Sequence, residues 1–128
     1  MKKDNKGFSL VELIIVIAIM AVLIGLLAPQ YLKFVKKSKV SADVSNAQAL
    51  ATAFNVAFAD GVGLTGTYTG AKGTDCAGGS VNAQWPESKL VPTASFVVHM
   101  NSNGNGVEKI TLGGSKVWPT TEGSWSSN

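Results

Sequence analysis

The sequence contains no arginine, one cysteine and one histidine among its 128 residues. Because all eleven basic residues are lysines, the bidentate contacts of guanidinium with phosphate and guanine are missing, and specific recognition of DNA is not expected. The single cysteine, Cys76, cannot form an intrachain disulfide. One cysteine and one histidine give no recognisable spacing of metal ligands, so we expect neither a metal site nor a cofactor.

Catalytic motifs are also missing from the chain. There is no serine elbow and no carboxylate pair in settings that would separate their pKa values. The glycine-rich segment 61–93 lacks the GxxxxGK[ST] pattern, so it is interpreted as surface loop and the protein as not an enzyme. Cys76 lies in this segment, and two interpretations of it stay open: an incidental free thiol, or a reactive thiol that pairs with another molecule.

Charged side chains are missing from sixteen consecutive residues, Leu13 to Ala28. The apolar run can span a bilayer, which takes about 20 residues. Glu12 lies at its beginning, and a charged side chain at the centre of a membrane helix costs roughly 2.5–3.5 kcal/mol, so a cationic partner is expected. A cut between Gly7 and Phe8 would place the new α-amino group of Phe8 about one helical turn from Glu12.

Two other interpretations of the apolar run compete with a membrane segment that is cut between Gly7 and Phe8. A secretory signal peptide has an apolar core of about 7–15 residues before a small-residue cleavage site, and here the first such site comes only at Ala49. A plain single-pass anchor fits the length of the run but leaves Gly7, Phe8 and Glu12 unexplained. Lysines flank both ends of the run, so charge alone does not orient the chain in a membrane.

The residues Lys6-Gly7-Phe8-Ser9-Leu10-Val11-Glu12 resemble the class III signal sequences of type IV pilins and pseudopilins: a basic leader, Gly, Phe, Ser or Thr, Leu, an aliphatic residue and Glu. The resemblance implies that a prepilin peptidase cuts after Gly7, that Phe8 becomes the N-methylated terminus, and that Glu12 is the assembly carboxylate. It also implies a single pass through the inner (cytoplasmic) membrane with the N-terminus inside, followed by transfer to an extracellular filament.

The expected function follows from this resemblance. A type IV pilin is a structural subunit that polymerises with itself, on a pilus assembly platform, into a bacterial surface filament used in adhesion, attachment and twitching motility. Two alternatives stay open: a pseudopilin of a type II secretion or DNA-uptake system, and a monomeric membrane-anchored domain that binds another molecule. Acid-rich calcium loops, which some pseudopilins use, are absent, and this favours a pilin.

Helical periodicity continues beyond the apolar run. Pro29 lacks a backbone donor and would clash with the carbonyl of Gly25, which predicts a kink or local melting between these residues. Apolar residues then recur at steps of three and four, which predicts an amphipathic helix to about Asp60 that packs on a sheet (Val40, Val44, Ala47, Ala51, Phe54 and Phe58).

The C-terminal part has the pattern of a small antiparallel sheet. Residues 94–100 and 107–112 predict a hairpin and 116–118 a third strand, with Trp85 as a packing anchor in the preceding loop. Alternation places Phe96, Val98 and Met100 toward the helix together with Ile110 and Leu112, whereas His99 falls on the other face.

The sequence therefore predicts an α+β fold in four parts. Residues 1–7 form a cytoplasmic leader and residues 8–31 a transmembrane helix that becomes the filament core. Residues 32–60 continue it as an amphipathic helix, so that the whole is one long kinked helix. Residues 61–128 form the extracellular loop and sheet.

Overall fold

The computed structural model describes residues 7–103 and 105–121, so most of the predicted leader lies outside the described part. One long helix is followed by a short 3-10 helix (Cys76–Gly79) and four strands: α1 (Leu10–Ala59), β1 (Thr67–Thr69), β2 (Phe96–Met100), β3 (Val107–Leu112) and β4 (Ser115–Trp118). The chain divides into two compact units between Val35 and Lys36.

The first unit contains the apolar half of α1. Every residue from Leu10 to Phe34 is exposed, so apolar side chains cover the whole circumference of the helix. By length and composition α1 can cross a membrane. The helical backbone continues unbroken through Pro29 and is therefore not melted there, whereas the kink at Gly25 and Pro29 stays a prediction.

The second unit contains the rest of α1 and the sheet. The four strands are antiparallel and follow the order β1-β2-β3-β4. Side chains of α1 and of the sheet share one buried core, and this confirms the α+β fold (Ala47, Leu50, Ala51, Phe54, Phe96, Val98, Met100, Ile110, Leu112 and Val117).

The predicted strands and helix face are confirmed with two corrections. The hairpin and third strand are present, but β1 was missed because its three residues lie in a segment interpreted as loop. On α1, Leu50 and Ala57 are buried in addition to the predicted residues, whereas Val40, Val44 and Phe58 are only half-buried.

A buried carboxylate joins α1 to the loop before β2. Asp43 is fully buried; its Oδ2 accepts hydrogen bonds from Ser88 Oγ (2.8 Å) and the Leu90 amide (3.1 Å), and its Oδ1 accepts one from the Lys89 amide (2.6 Å). Ser88 Oγ in turn accepts a hydrogen bond from the Val91 amide at 2.9 Å. Because buried charges require such partners, this contact fixes the loop on the helix without a disulfide.

Trp85 is a packing anchor of the same connection between β1 and β2, as predicted. It is 3 % exposed, and its ring centroid lies 6.0 Å from that of Phe54. The Trp85 amide donates to the Thr74 carbonyl (2.9 Å), and the Gly73 amide donates to the Trp85 carbonyl (2.8 Å). Gly70 lies against the indole so closely that a Cβ there would overlap the ring. The loop therefore depends on a glycine at position 70.

A fragment that begins at Lys36 should be a soluble α+β monomer with Phe54 at its core. Phe54 has no exposed surface, and Phe54→Ala should lower the free energy of unfolding by about 3–5 kcal/mol. Val56→Ala is the matched control, because Val56 lies half a turn away and is 55 % exposed; its effect should stay within about 0.5 kcal/mol. Urea denaturation followed by circular dichroism measures both, and equal stability of the two variants would show that Phe54 is not a core residue.

Candidate assembly site at the start of the helix

The first turn of α1 is closed by a reciprocal pair of hydrogen bonds between Ser9 and Glu12. The Ser9 amide donates to Glu12 Oε2 (3.3 Å), and the Glu12 amide donates to Ser9 Oγ (3.2 Å). This is a capping box, in which a serine at the N-cap and a glutamate three residues later satisfy each other's backbone donors. The sequence carries the Ser-x-x-Glu signature of this motif at Ser9 to Glu12, so Glu12 has a local role in addition to the predicted role in assembly.

The two predicted processing residues lie just outside the helix. Gly7 has no neighbouring atoms that a side chain would meet, and Phe8 is 88 % exposed. Phe8 lies two residues before the start of α1 and four residues before Glu12, and both side chains are exposed. Among the residues that the structure describes, the Glu12 carboxylate has no cationic partner.

Local interactions stabilise the Glu12 anion only in part. A capping bond contributes about 1 kcal/mol, and the positive end of the helix dipole contributes about 0.3–1 kcal/mol. The cost of placing a carboxylate among apolar groups is roughly 2.5–3.5 kcal/mol on insertion scales. The capping box therefore explains why a glutamate is tolerated at the start of α1. It does not offset the whole cost of placing the carboxylate among apolar groups, so a nearby cation would stabilise it further.

The remaining polar candidates do not form a site. His99 lies half-exposed on the outer face of the sheet, where its ring nitrogens lie near Thr111 Oγ1 (3.1 Å) and Thr67 Oγ1 (3.5 Å). Within residues 7–103 and 105–121 no group of three or more potential ligands is placed to hold a metal ion.

Cys76 is fully buried in the second unit. Burial, and secondarily the negative charge of Asp75, raise the pKa of the Cys76 thiol to about 11. A reactive thiol needs exposure and a lowered pKa, so these surroundings favour the interpretation as an inert core residue.

Several known proteins resemble this chain over part of its length. A family model described as a prokaryotic N-terminal methylation motif matches residues 2–28. A type IV major fimbrial protein, FimA of Dichelobacter nodosus, is 34% identical over 94 residues, which are 73% of this chain and 51% of that protein. A fimbrial protein of Pseudomonas aeruginosa is 37% identical over 67 residues, 52% of this chain and 44% of that one.

A third relative is the type IV major pilin protein PilA of Myxococcus xanthus (strain DK1622), 45% identical over 49 residues, 38% of this chain and 22% of PilA. The chain thus spans about half the length of FimA and less of the other two. No solved structure matches it significantly.

The methylation motif and the long apolar helix ahead of a small sheet define a protein of the class made with a class III signal sequence. Within that class, the methylation motif and the relatives named as fimbrial or pilin proteins support a type IV pilin.

The buried thiol should make the second unit sensitive to alkaline pH. In the folded protein Cys76 stays protonated up to about pH 11, whereas the unfolded chain loses this proton from about pH 9. Stability contributed by the neutral thiol is therefore complete below pH 9 and is lost as the pH rises to 11, by up to about 2–3 kcal/mol.

Urea unfolding of the Lys36 fragment between pH 8 and 11, compared with Cys76→Ala, measures this effect. The two proteins differ only at position 76, so the difference in slope isolates the thiol. Parallel pH profiles would contradict the assignment.

Proposed function

We propose that the chain is the structural subunit of a type IV pilus that polymerises into a surface filament. The observation that carries this proposal is the first unit: a helix exposed and apolar around its circumference, with a single carboxylate in its first turn. An apolar surface of this size must be covered by lipid or protein. Lipid covers it before assembly, and the same helices of other copies cover it in the filament.

Processing creates the charge that assembly uses. The prepilin peptidase cuts after Gly7 on the cytoplasmic side, and the new terminal amine of Phe8 is methylated. An N-methylated amine stays cationic at neutral pH, so it can still pair with a carboxylate. The position of Gly7 and Phe8 ahead of the first helical turn supports this step, because a peptidase reaches an exposed non-helical segment more easily than a helix.

Assembly then exchanges one partner of Glu12 for another. In the single chain its Oε2 accepts a hydrogen bond from the Ser9 amide. In the filament the carboxylate pairs with the Phe8 amine of a neighbouring subunit, and two charges that would be unpaired in an apolar core neutralise each other. Contacts of this head-to-tail kind, which do not close into a ring, generate filaments.

A filament of pilin subunits is favoured over the two alternatives. The relatives are named as fimbrial or pilin proteins, which supports a pilin rather than a pseudopilin. A monomeric surface anchor would need neither the free amine of Phe8 nor Glu12. The filament would serve attachment and motility, with the assembly platform and the peptidase as partners.

Processing predicts a defined N-terminus. Chains in sheared surface fibres should begin with N-methylated Phe8, because the leader stays in the cytoplasm after the cut. Intact-mass measurement and sequencing of the terminal peptide test this. Fibres built from chains that retain Met1, or that begin near Ala49, would contradict the proposal.

Charge at position 12, rather than capping, should decide assembly. Glu12→Gln keeps a side chain that completes a capping box but removes the charge. Breaking one half of a buried ion pair costs about 3–5 kcal/mol, and every subunit repeats the contact. Glu12→Gln and Glu12→Ala should therefore be inserted and cleaved normally yet give no fibres, while Glu12→Asp retains some.

Ser9→Ala is the matched control for Glu12. It removes the hydroxyl that accepts from the Glu12 amide but leaves the carboxylate charged, so fibres should still form. Immunoblots of the membrane fraction report cleavage, and sheared-fibre yield reports assembly. Wild-type yield in Glu12→Gln would show that the charge has no part in assembly.

A further inference from the structure

A groove in the second unit lies between the end of α1 and the residues that follow the 3-10 helix. Its volume is about 320 Å³. Its lining combines apolar and polar side chains (Val56, Ala57 and Val62; Asp60, Ser80 and Asn82).

The polar side chains of the groove, those of Asp60, Ser80 and Asn82, are exposed to solvent. Within the part of the chain that the structure describes, no hydrogen bond or ion pair involves the side chains of Asp60, Ser80 or Asn82. Together they offer a carboxylate, a hydroxyl oxygen and an amide oxygen. A lysine ammonium group has three N–H donors and no acceptor, and its four-carbon stem packs on apolar surface. The groove therefore has the chemistry to receive a lysine side chain.

Lysines without partners are abundant on α1 itself. Lys36, Lys37 and Lys39 are exposed, and within the described residues none of them forms an ion pair. They cannot reach the groove of their own chain, because the helix between Lys39 and its end at Ala59 is roughly 30 Å long at 1.5 Å per residue. A lysine of this segment can enter the groove only from another molecule.

We propose that the groove beside Asp60 binds a lysine of the segment 36–39 of a second copy of this chain. This inference rests on the proposed function, since a filament supplies that copy in a fixed position. For parallel helices, the neighbour is then shifted by roughly 30–35 Å along the helix axis, the length between these lysines and the groove. The contact sets the axial register of two subunits through an ion pair between their second units.

Zero-length coupling on wild-type fibres tests the contact. A carbodiimide joins a carboxylate to an amine only where the two touch, and mass spectrometry of the digested fibres identifies the joined peptides. We expect Asp60 joined to Lys36, Lys37 or Lys39, and the loss of this product in Asp60→Asn fibres. The pair Lys72–Glu87, whose Nζ and Oε2 are 2.5 Å apart within one chain, is the internal positive control.

The outcomes separate this inference from the proposed function. If the wild-type chain forms no fibres, the pilus subunit proposal fails and this contact fails with it. If fibres form and Lys72 couples to Glu87, but Asp60 couples to nothing or to a lysine outside 36–39, only the groove assignment is overturned.

Discussion

The apolar surface of α1 between Leu10 and Phe34 is the constraint on which the rest of the molecule depends. Its side chains are about half exposed or more, and in the single chain they have no protein around them. Exposing a helix that is apolar on all sides to water is unfavourable, so lipid or protein must cover its surface. Lipid and other copies of the same helix satisfy this requirement equally well, so a single surface can serve first as an anchor and then as a filament core.

The Glu12 side chain must be tolerated both in lipid and among other copies of the helix. The capping box with Ser9 gives the carboxylate a local partner that travels with the chain, whatever surrounds the helix. This partner is neutral and does not remove the charge. The proposed pairing with a cleaved Phe8 amine does so only between subunits, and only after processing. Under the proposed function, local capping and intermolecular pairing would be successive uses of one carboxylate rather than rival explanations of it.

The helix, the hairpin and the core face could be predicted from periodic patterns. In each of them the spacing of the apolar residues indicates which side chains are buried. Phe96, Val98 and Met100 alternate along β2, and their buried face is the one expected. Asp43 could not be predicted in this way. An acidic residue on a helix usually faces solvent, and its burial depends on donors of the distant loop at Ser88 to Leu90. The three-residue strand β1 was missed for the same reason, since it exists only through pairing with β2.

The two proposed ion pairs differ in their surroundings. A pair between Glu12 and an amine of Phe8 would be enclosed by apolar helices, where salt screens little and the loss of one partner is costly. A pair between Asp60 and a lysine of a neighbour would lie at a groove open to solvent, where the attraction is weaker and is screened by salt. The enclosed pair would therefore control whether a subunit joins the filament. The open pair is suited to fixing its axial position, because it can form and break while the helices settle against each other.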